Sequence, residues 1–297
     1  MSPPVEGSCL VSAVRLDGPA ADEETCALIR EDILTIRVEG AGTYSLMWTP
    51  TGPVGEAQAF FHGEGTLGEG PLSESLCLAA GFLFTEGVID GLDDLKAMAF
   101  CPDDSRVVVA YLQDPDRPRP RRRDALIASS CALCGEGGGI EGIIDALPIV
   151  SGDLVMEATD LTRMMGEMRR RQHVFEATGG AHAAAVFDSA GRIVAMAEDL
   201  GRHNALDKVI GRCLLEGLDA PACGVLLSSR LSLEMVAKSA RAGFQLVAAV
   251  SAPTSLAVEV AQRKGITLCG FIREERCTVY SHGRRVAVLG AESAWVN

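Results

Sequence analysis

Apolar and polar residues alternate with period two over residues 31–38 and again over 42–48, the pattern of two half-buried strands joined as a hairpin. The period changes after Ser73. Leu76, Leu78, Ala79, Phe82 and Leu83 recur at helical spacing and predict an amphipathic helix ending near Glu86 and Gly87. Strand-like runs follow over 96–100 and 106–112. A helix is expected over 153–174, with Ser151 as its N-cap. An apolar strand over 183–187, turn residues at 188–191 and a strand over 192–198 read as a second hairpin. From there helix and strand alternate. Helices are expected over 204–216, 232–241 and 254–263, strands over 224–228, 245–250 and 266–272, and a short closing strand over 277–281. A hairpin followed by repeated helix–strand units predicts an α/β core built on a mixed, mainly parallel sheet with helices on both faces. Ligands on such sheets bind at the carboxyl ends of the strands, where loops meet helix N-termini.

Four regions follow from this pattern. Residues 1–22, rich in Pro, Gly and Ala, are expected to be weakly ordered, and 23–124 form a smaller N-terminal α+β region with a long loop or insertion at 49–71. Residues 125–150 form a mobile loop region, and 151–297 form the α/β core. The charged, proline-broken stretch 114–123 reads as a solvated linker or a basic docking strip. With 47% hydrophobic and 23% charged residues in a chain of 297, the composition is that of an ordinary globular protein. The formal net charge of −13 argues against general binding of nucleic acid or anionic membrane, but leaves room for a local basic pocket. The N-terminus lacks a basic segment followed by an apolar run, and the most apolar long window, 244–261, contains Pro253 and Glu259. Neither a secretory signal nor a membrane span is therefore expected. Ten cysteines in such a chain read as thiols rather than a disulfide framework, which points to the cytoplasm.

Candidate chemistry concentrates in four places. Ser129-Ser-Cys131-Ala-Leu-Cys134-Gly135 sets two thiols in CxxC spacing ahead of the glycine run 137–139. Such a pair serves as a metal clip, a redox couple or a sulfur-handling site, or simply fills space. The other cysteines are scattered singly, so no second pair completes a structural zinc site. A zinc deaminase would place His-x-Glu before its cysteine pair, whereas His182 follows the pair and precedes Ala-Ala-Ala. No resident metal is expected. Three further segments fall at strand ends. Glu198-Asp-Leu-Gly-Arg202-His203-Asn204 gathers carboxylates, a guanidinium and an imidazole. Ser228-Ser-Arg230-Leu-Ser232 leads into Glu234 and Lys238, a combination suited to phosphate. Ser251-Ala-Pro-Thr254-Ser255 is a third strand-to-helix turn. Each can also be read as helix capping. The turn at 178–182 is not a dinucleotide fingerprint, and His182 is either a core-edge residue or part of a site.

Taken together these segments resemble the FdhD family of formate dehydrogenase accessory sulfurtransferases. The resemblance is carried by Gly81-Phe-Leu-Phe-Thr-Glu-Gly-Val88, Ser129-Ser-Cys-Ala-Leu-Cys-Gly135, Gln172-His-Val-Phe-Glu-Ala-Thr-Gly-Gly-Ala-His-Ala-Ala184 and, most specifically, Glu198-Asp-Leu-Gly-Arg-His-Asn-Ala-Leu-Asp-Lys-Val-Ile-Gly211. It continues through Ser229-Arg-Leu-Ser-Leu-Glu-Met-Val-Ala-Lys238, Val250-Ser-Ala-Pro-Thr-Ser-Leu-Ala257 and Gly270-Phe-Ile-Arg-Glu-Glu-Arg276. Ala132 stands where the family often has glycine, and 49–71 is longer than usual. The resemblance implies a cytidine-deaminase-like α/β core without zinc chemistry. It also implies transfer of sulfur from a cysteine desulfurase to Mo-bis(molybdopterin guanine dinucleotide), or its tungsten counterpart, as bound substrate for formate dehydrogenase. Cys131 would carry the persulfide, Cys134 would assist or resolve it, and homodimers would be expected. The cofactor-binding segment maps to Phe271, Ile272, Arg273, Glu274, Glu275 and Arg276. Arg202, His203, Arg230, Lys238 and Thr254 are its expected neighbours at the strand ends. A non-catalytic cofactor chaperone and a dithiol oxidoreductase are the alternative readings of the same residues.

Overall fold

Among the residues described by the computed structural model, 5–52, 58–68, 70–116, 126–127, 139–274 and 276–288, the chain opens with a ribbon. Strands β1 (Ser8–Asp17) and β2 (Ala20–Ile29) pair antiparallel around Gly18, whose φ of 58° suits a tight turn. Here the structure differs from the weakly ordered segment expected. The ribbon exposes polar groups on both faces, so its sequence lacks the clean alternation of a half-buried strand.

β3 (Asp32–Val38) and β4 (Gly42–Trp48) form the expected hairpin. Residues 49–71, expected as loop, contain β5 (Ala59–Phe61) and β6 (Gly65–Leu67). These join β7 (Leu95–Cys101), β8 (Asp104–Leu112) and β9 (Leu126–Ile127) in a seven-stranded sheet of order β6-β5-β7-β8-β3-β4-β9. The Gln58 side chain holds the ends of the inserted hairpin together, donating to the Pro71 carbonyl at 2.8 Å and accepting from the Ser73 amide at 2.7 Å. Helix α1 (Glu74–Thr85) follows, buried along nearly its whole length.

After α2 (Gly139–Ala146), the single helix expected over 153–174 is two helices. β10 (Met156–Glu157) is extended, α3 (Ala158–Arg170) ends at Arg171, and α4 (His173–Thr178) begins anew. Ser151 caps neither. The Leu154 amide instead donates to the Gln245 side chain at 2.9 Å, which keeps this stretch extended. The break before α4 has a distant cause: the Glu198 carboxylate accepts from the Val174 and Phe175 amides, both at 2.9 Å, and satisfies the new helix start.

The second sheet contains β11 (His182–Phe187), β12 (Ile193–Asp199), β13 (Gly224–Leu227), β14 (Leu246–Ala249), β15 (Thr267–Arg273) and β16 (Arg276–Ser281), in the order β12-β11-β13-β14-β15-β16. Helices α5 (Arg202–Glu216), α6 (Leu233–Arg241) and α7 (Ser255–Lys264) connect them, and β17 (Val286–Ala287) pairs with β10. Only β13, β14 and β15 run parallel, so the sheet is mixed but less parallel than its sequence rhythm implies. Alternation sorts its two faces. Leu226, Leu246, Ala248 and Cys269 pack with Met164, Met165 and Met168 of α3. Val225, Leu227, Val247 and Leu268 join the larger core, which takes in α1, α5 and the inner face of the seven-stranded sheet.

Two glycines set the spacing of the central layer. A Cβ on Gly81 would lie 1.8 Å from the Asp207 carbonyl oxygen, and one on Gly211 would lie 1.8 Å from that of Cys77. Helices α1 and α5 therefore touch backbone to backbone. Two buried ammonium groups lock the layer further. Lys238 of α6 donates to Thr85 at 2.8 Å, Glu86 at 3.0 Å and Asp207 at 2.8 Å, tying three helices together. Lys208 of α5 reaches the Thr49 carbonyl at 2.7 Å, the Glu198 carbonyl at 2.9 Å, Asp199 at 3.0 Å and Glu74 at 3.2 Å. Burial acts to lower both lysine pKa values, but the carboxylates around each outweigh it and hold them above the ordinary value. Asp207 is pushed up to about 6, first by burial. No helix among the described residues is long and apolar enough to cross a membrane.

Candidate functional site

The strand directions carry the sequence-predicted segments to one edge of the six-stranded sheet. β13, β14 and β15 end there, while β11 starts at His182 directly opposite Asp199, the last residue of β12. The loops leaving this edge enter α5, α6 and α7, so three helix N-termini face the same way. That arrangement favours an anion.

Each loop is held in place by its own backbone. Leu231 and Pro253 form a bridge between the second and third loops. The Leu231 amide donates to the Ala252 carbonyl at 3.1 Å and the Thr254 amide to the Leu231 carbonyl at 2.9 Å. The Thr254 hydroxyl caps α7 by accepting from the Ala257 amide at 3.2 Å. Gly270 lies so close to the third loop that a Cβ there would stand 3.0 Å from the Ser251 oxygen. Asp199, fully buried, organises the start of α5 by accepting from the Gly201 amide and the Asn204 side chain, both at 2.9 Å, and from the Thr49 amide at 3.0 Å.

Arg202, His203 and Glu234 form the charged centre of the edge. His203 Nε2 lies 2.8 Å from a Glu234 carboxylate oxygen, and the Arg202 guanidinium lies 3.8 Å from the same oxygen. The buried Nε of Arg202 and the buried hydroxyl of Ser232 have no hydrogen-bond partner among the described residues. Burial and then the Lys238 charge lower the His203 pKa, against the pull of Glu234. His182 is lowered too, by burial and then by Arg202, so both imidazoles favour the neutral form.

Phe271 completes the edge. It sits in a β-bulge between β15 and β16, in the left-handed region at φ 53°, and leaves its side chain 45% exposed. A bulky residue held at positive φ is strained, and such strain concentrates where a side chain must be aimed. Arg273 and Arg276, both exposed, face each other across the two strands. Like charges placed so are unfavourable without an anion to share.

The sequence-predicted residues divide accordingly. Arg202, His203, Arg230, Thr254, Phe271, Arg273 and Arg276 are on or beside this edge, with Glu274 in the adjoining turn at φ 52°. Two of those assigned to ligand binding sit elsewhere. Ile272 is 1% exposed and belongs to the core facing α3. Lys238 is a correction as well: its ammonium is spent on Asp207, Glu86 and Thr85 inside the helical layer, leaving no donor for a ligand. Cys131, Cys134 and Glu275 lie outside the described residues. Glu234, four residues before Lys238 on α6, pairs with Arg202 and His203 rather than with that lysine. A cavity of about 340 Å³, lined by Phe84, Ile210, Cys213 and Leu218, lies toward the other end of α5.

Fold and site together define a mixed α/β protein with an anion-ready sheet edge. The profile of the FdhD/NarQ family matches residues 72–287, and the chain belongs to that family. It is 37% identical over 282 residues to the sulfur carrier protein FdhD of Anaeromyxobacter dehalogenans (strain 2CP-C), covering 89% of this chain and 90% of the relative. It is 39% identical over 213 residues to the protein of the same name from Bordetella bronchiseptica, covering 70% of this chain and 76% of the relative. A solved structure from Desulfotalea psychrophila, described as a formate dehydrogenase accessory protein, superposes with a TM-score of 0.71 at 22% identity. That match covers 94% of this chain and 99% of the other, and it speaks to the fold.

Proposed function

We propose that the chain carries sulfur from a cysteine desulfurase, as a persulfide on Cys131, to a guanine-dinucleotide molybdenum or tungsten cofactor, and so matures formate dehydrogenase. The observation that carries this reading is the convergence of three helix N-termini, Arg202, Arg230 and the exposed Phe271 ring on one sheet edge. Pyrophosphate suits the N–H groups and guanidinium groups, and a guanine or pterin suits the aromatic face. The relatives' name, sulfur carrier protein FdhD, supports the sulfur chemistry.

In the first step the Cys131 thiolate attacks the outer sulfur of the donor's persulfide. The donor cysteine leaves as a thiolate and Cys131 keeps the transferred sulfur, with no net oxidation. In the second, the Cys134 thiolate attacks the inner sulfur of the persulfide. A Cys131–Cys134 disulfide forms and hydrosulfide departs toward the bound cofactor. Two equivalents of a cellular thiol then reduce the disulfide through a mixed disulfide and leave joined as their own disulfide. Here the cofactor is the substrate, and the protein's own groups at the edge hold and orient it.

Calorimetric titration with guanosine diphosphate, one half of the proposed ligand, tests the edge. Arg202→Ala and Phe271→Ala should each weaken binding about tenfold or more, the scale of one charge-assisted hydrogen bond or one stacked ring. Unchanged affinity in both variants would remove the edge as the cofactor site.

A further inference from the structure

Cys269 and Cys277 stand eight positions apart, yet the fold brings them together on the strands that carry Phe271. Cys269 pairs with Val279 across β15 and β16, and the register slips between Gly270 and Arg273. Cys277, two residues before Val279, therefore shares its face. Both thiols pack in the core layer against α3. Cys269 is fully buried and Cys277 half-buried, and neither forms a disulfide in this structure. The two thiols are close enough that each shifts the other, Cys269 upward and Cys277 downward. Cys9 and Cys26 also stand diagonally across β1 and β2, but on the ribbon rather than on the strands that carry Phe271, while Cys77 lies on α1, Cys101 at the end of β7, Cys213 on α5 and Cys223 before β13.

We propose that Cys269 and Cys277 are a redox-active dithiol whose substrate is a low-molecular-weight disulfide such as oxidised glutathione, and whose closure stiffens the hairpin bearing Phe271. The roles follow from access. Cys277 is the thiol a small disulfide can reach. Its neighbour Cys269 favours its thiolate, while the Cys269 thiol itself is pushed well up, by Cys277 and then by burial. The Cys277 thiolate attacks one sulfur of the oxidised glutathione, a glutathione thiolate leaves, and a mixed disulfide forms. Cys269 then gives up its proton, attacks the Cys277 sulfur and expels the second glutathione. Two protein thiols are oxidised to one disulfide, one glutathione disulfide is reduced to two thiols, and the two protons go with them. A disulfide holds its two Cα atoms about 4.4–6.8 Å apart. Closing the bond therefore pins β15 to β16 at the bulge, beside the residue that aims its ring from the sheet edge.

The full-length protein would be incubated with oxidised glutathione, alkylated and digested with trypsin without reduction. Cleavage after Lys264, Arg273, Arg276 and Arg284 puts the two cysteines on separate peptides, so a bridge appears as one cross-linked mass. The expected result is that mass, with slower amide exchange across β15 and β16 that dithiothreitol reverses. Cys269→Ala should arrest the reaction with glutathione on Cys277, and Cys277→Ser should leave Cys269 unmodified. Full alkylation of both cysteines in the wild type, or a bridge from Cys269 to any other cysteine, would overturn the pairing. A cross-link without any change in exchange would overturn the stiffening.

Discussion

Gly211→Ala tests the central packing claim, because helix propensity and tertiary structure give opposite signs. In an isolated helix the change adds about 1 kcal/mol of stability. Here the new Cβ would sit 1.8 Å from the Cys77 carbonyl oxygen and 2.6 Å from the Gly81 nitrogen, where real Cβ atoms keep at least 3.0 Å. Both obstacles are backbone, so no side chain can swing away and α5 must back off from α1 by more than an ångström. Overpacking of this kind costs about 3 kcal/mol at the upper end of its usual range. The gap opened around Phe82 and Val209 adds about 1–2 kcal/mol. Less the propensity gain, the net loss is about 3–4 kcal/mol. Urea unfolding followed by circular dichroism would measure it as a lowered midpoint with an unchanged slope. Gly142→Ala is the control, since its Cβ would meet nothing within 4 Å and the change should stabilise by up to about 1 kcal/mol. A Gly211→Ala protein as stable as the wild type would refute the backbone contact between the two helices.

Lys208→Met should cost about 3–5 kcal/mol in the same assay, because it leaves Asp199 and Glu74 without the buried cation they share. Loss under 1 kcal/mol would show that water or another cation replaces it. Thr254→Ala should lower stability by about 1 kcal/mol through loss of the α7 cap, and Thr254→Ser should restore it. Asp207 titrates at about 6 in the folded protein against an ordinary 3.8, so the native state holds its proton more tightly. Its contribution is full below about pH 4 and is lost as pH rises through about 6. The stability of the wild type relative to Asp207→Asn should therefore fall across that window, and a flat difference would contradict the raised value.

The chain's own pattern revealed the core from His182 onward almost to the residue. Its strands are short apolar runs closed by turn chemistry, and its helices begin at Gly, Ser or Thr. Other features depend on partners far along the chain. The break before α4 is set by Glu198, and the commitment of Lys238 by Asp207 and Glu86. Local pattern carries no trace of either. The same holds for Cys269 and Cys277, which read as isolated thiols until the β15–β16 register aligns them. Several of the stretches that most resemble the family, around Gly81, Asp207, Lys208, Gly211 and Lys238, turn out to hold the helices together rather than line the edge. Arg202 and His203 were legible as candidates because charge at strand ends has few structural uses, and Phe271 through the family resemblance; the fold brings the three to one edge.

The central claim is that Cys131 receives the sulfur. Incubating the protein with a cysteine desulfurase and cysteine, then alkylating and mapping peptides by mass spectrometry, measures it directly. The account expects one added sulfur atom on the Cys131 peptide, lost in Cys131→Ala and retained in Cys134→Ala. Equal sulfur uptake by Cys131→Ala would contradict it.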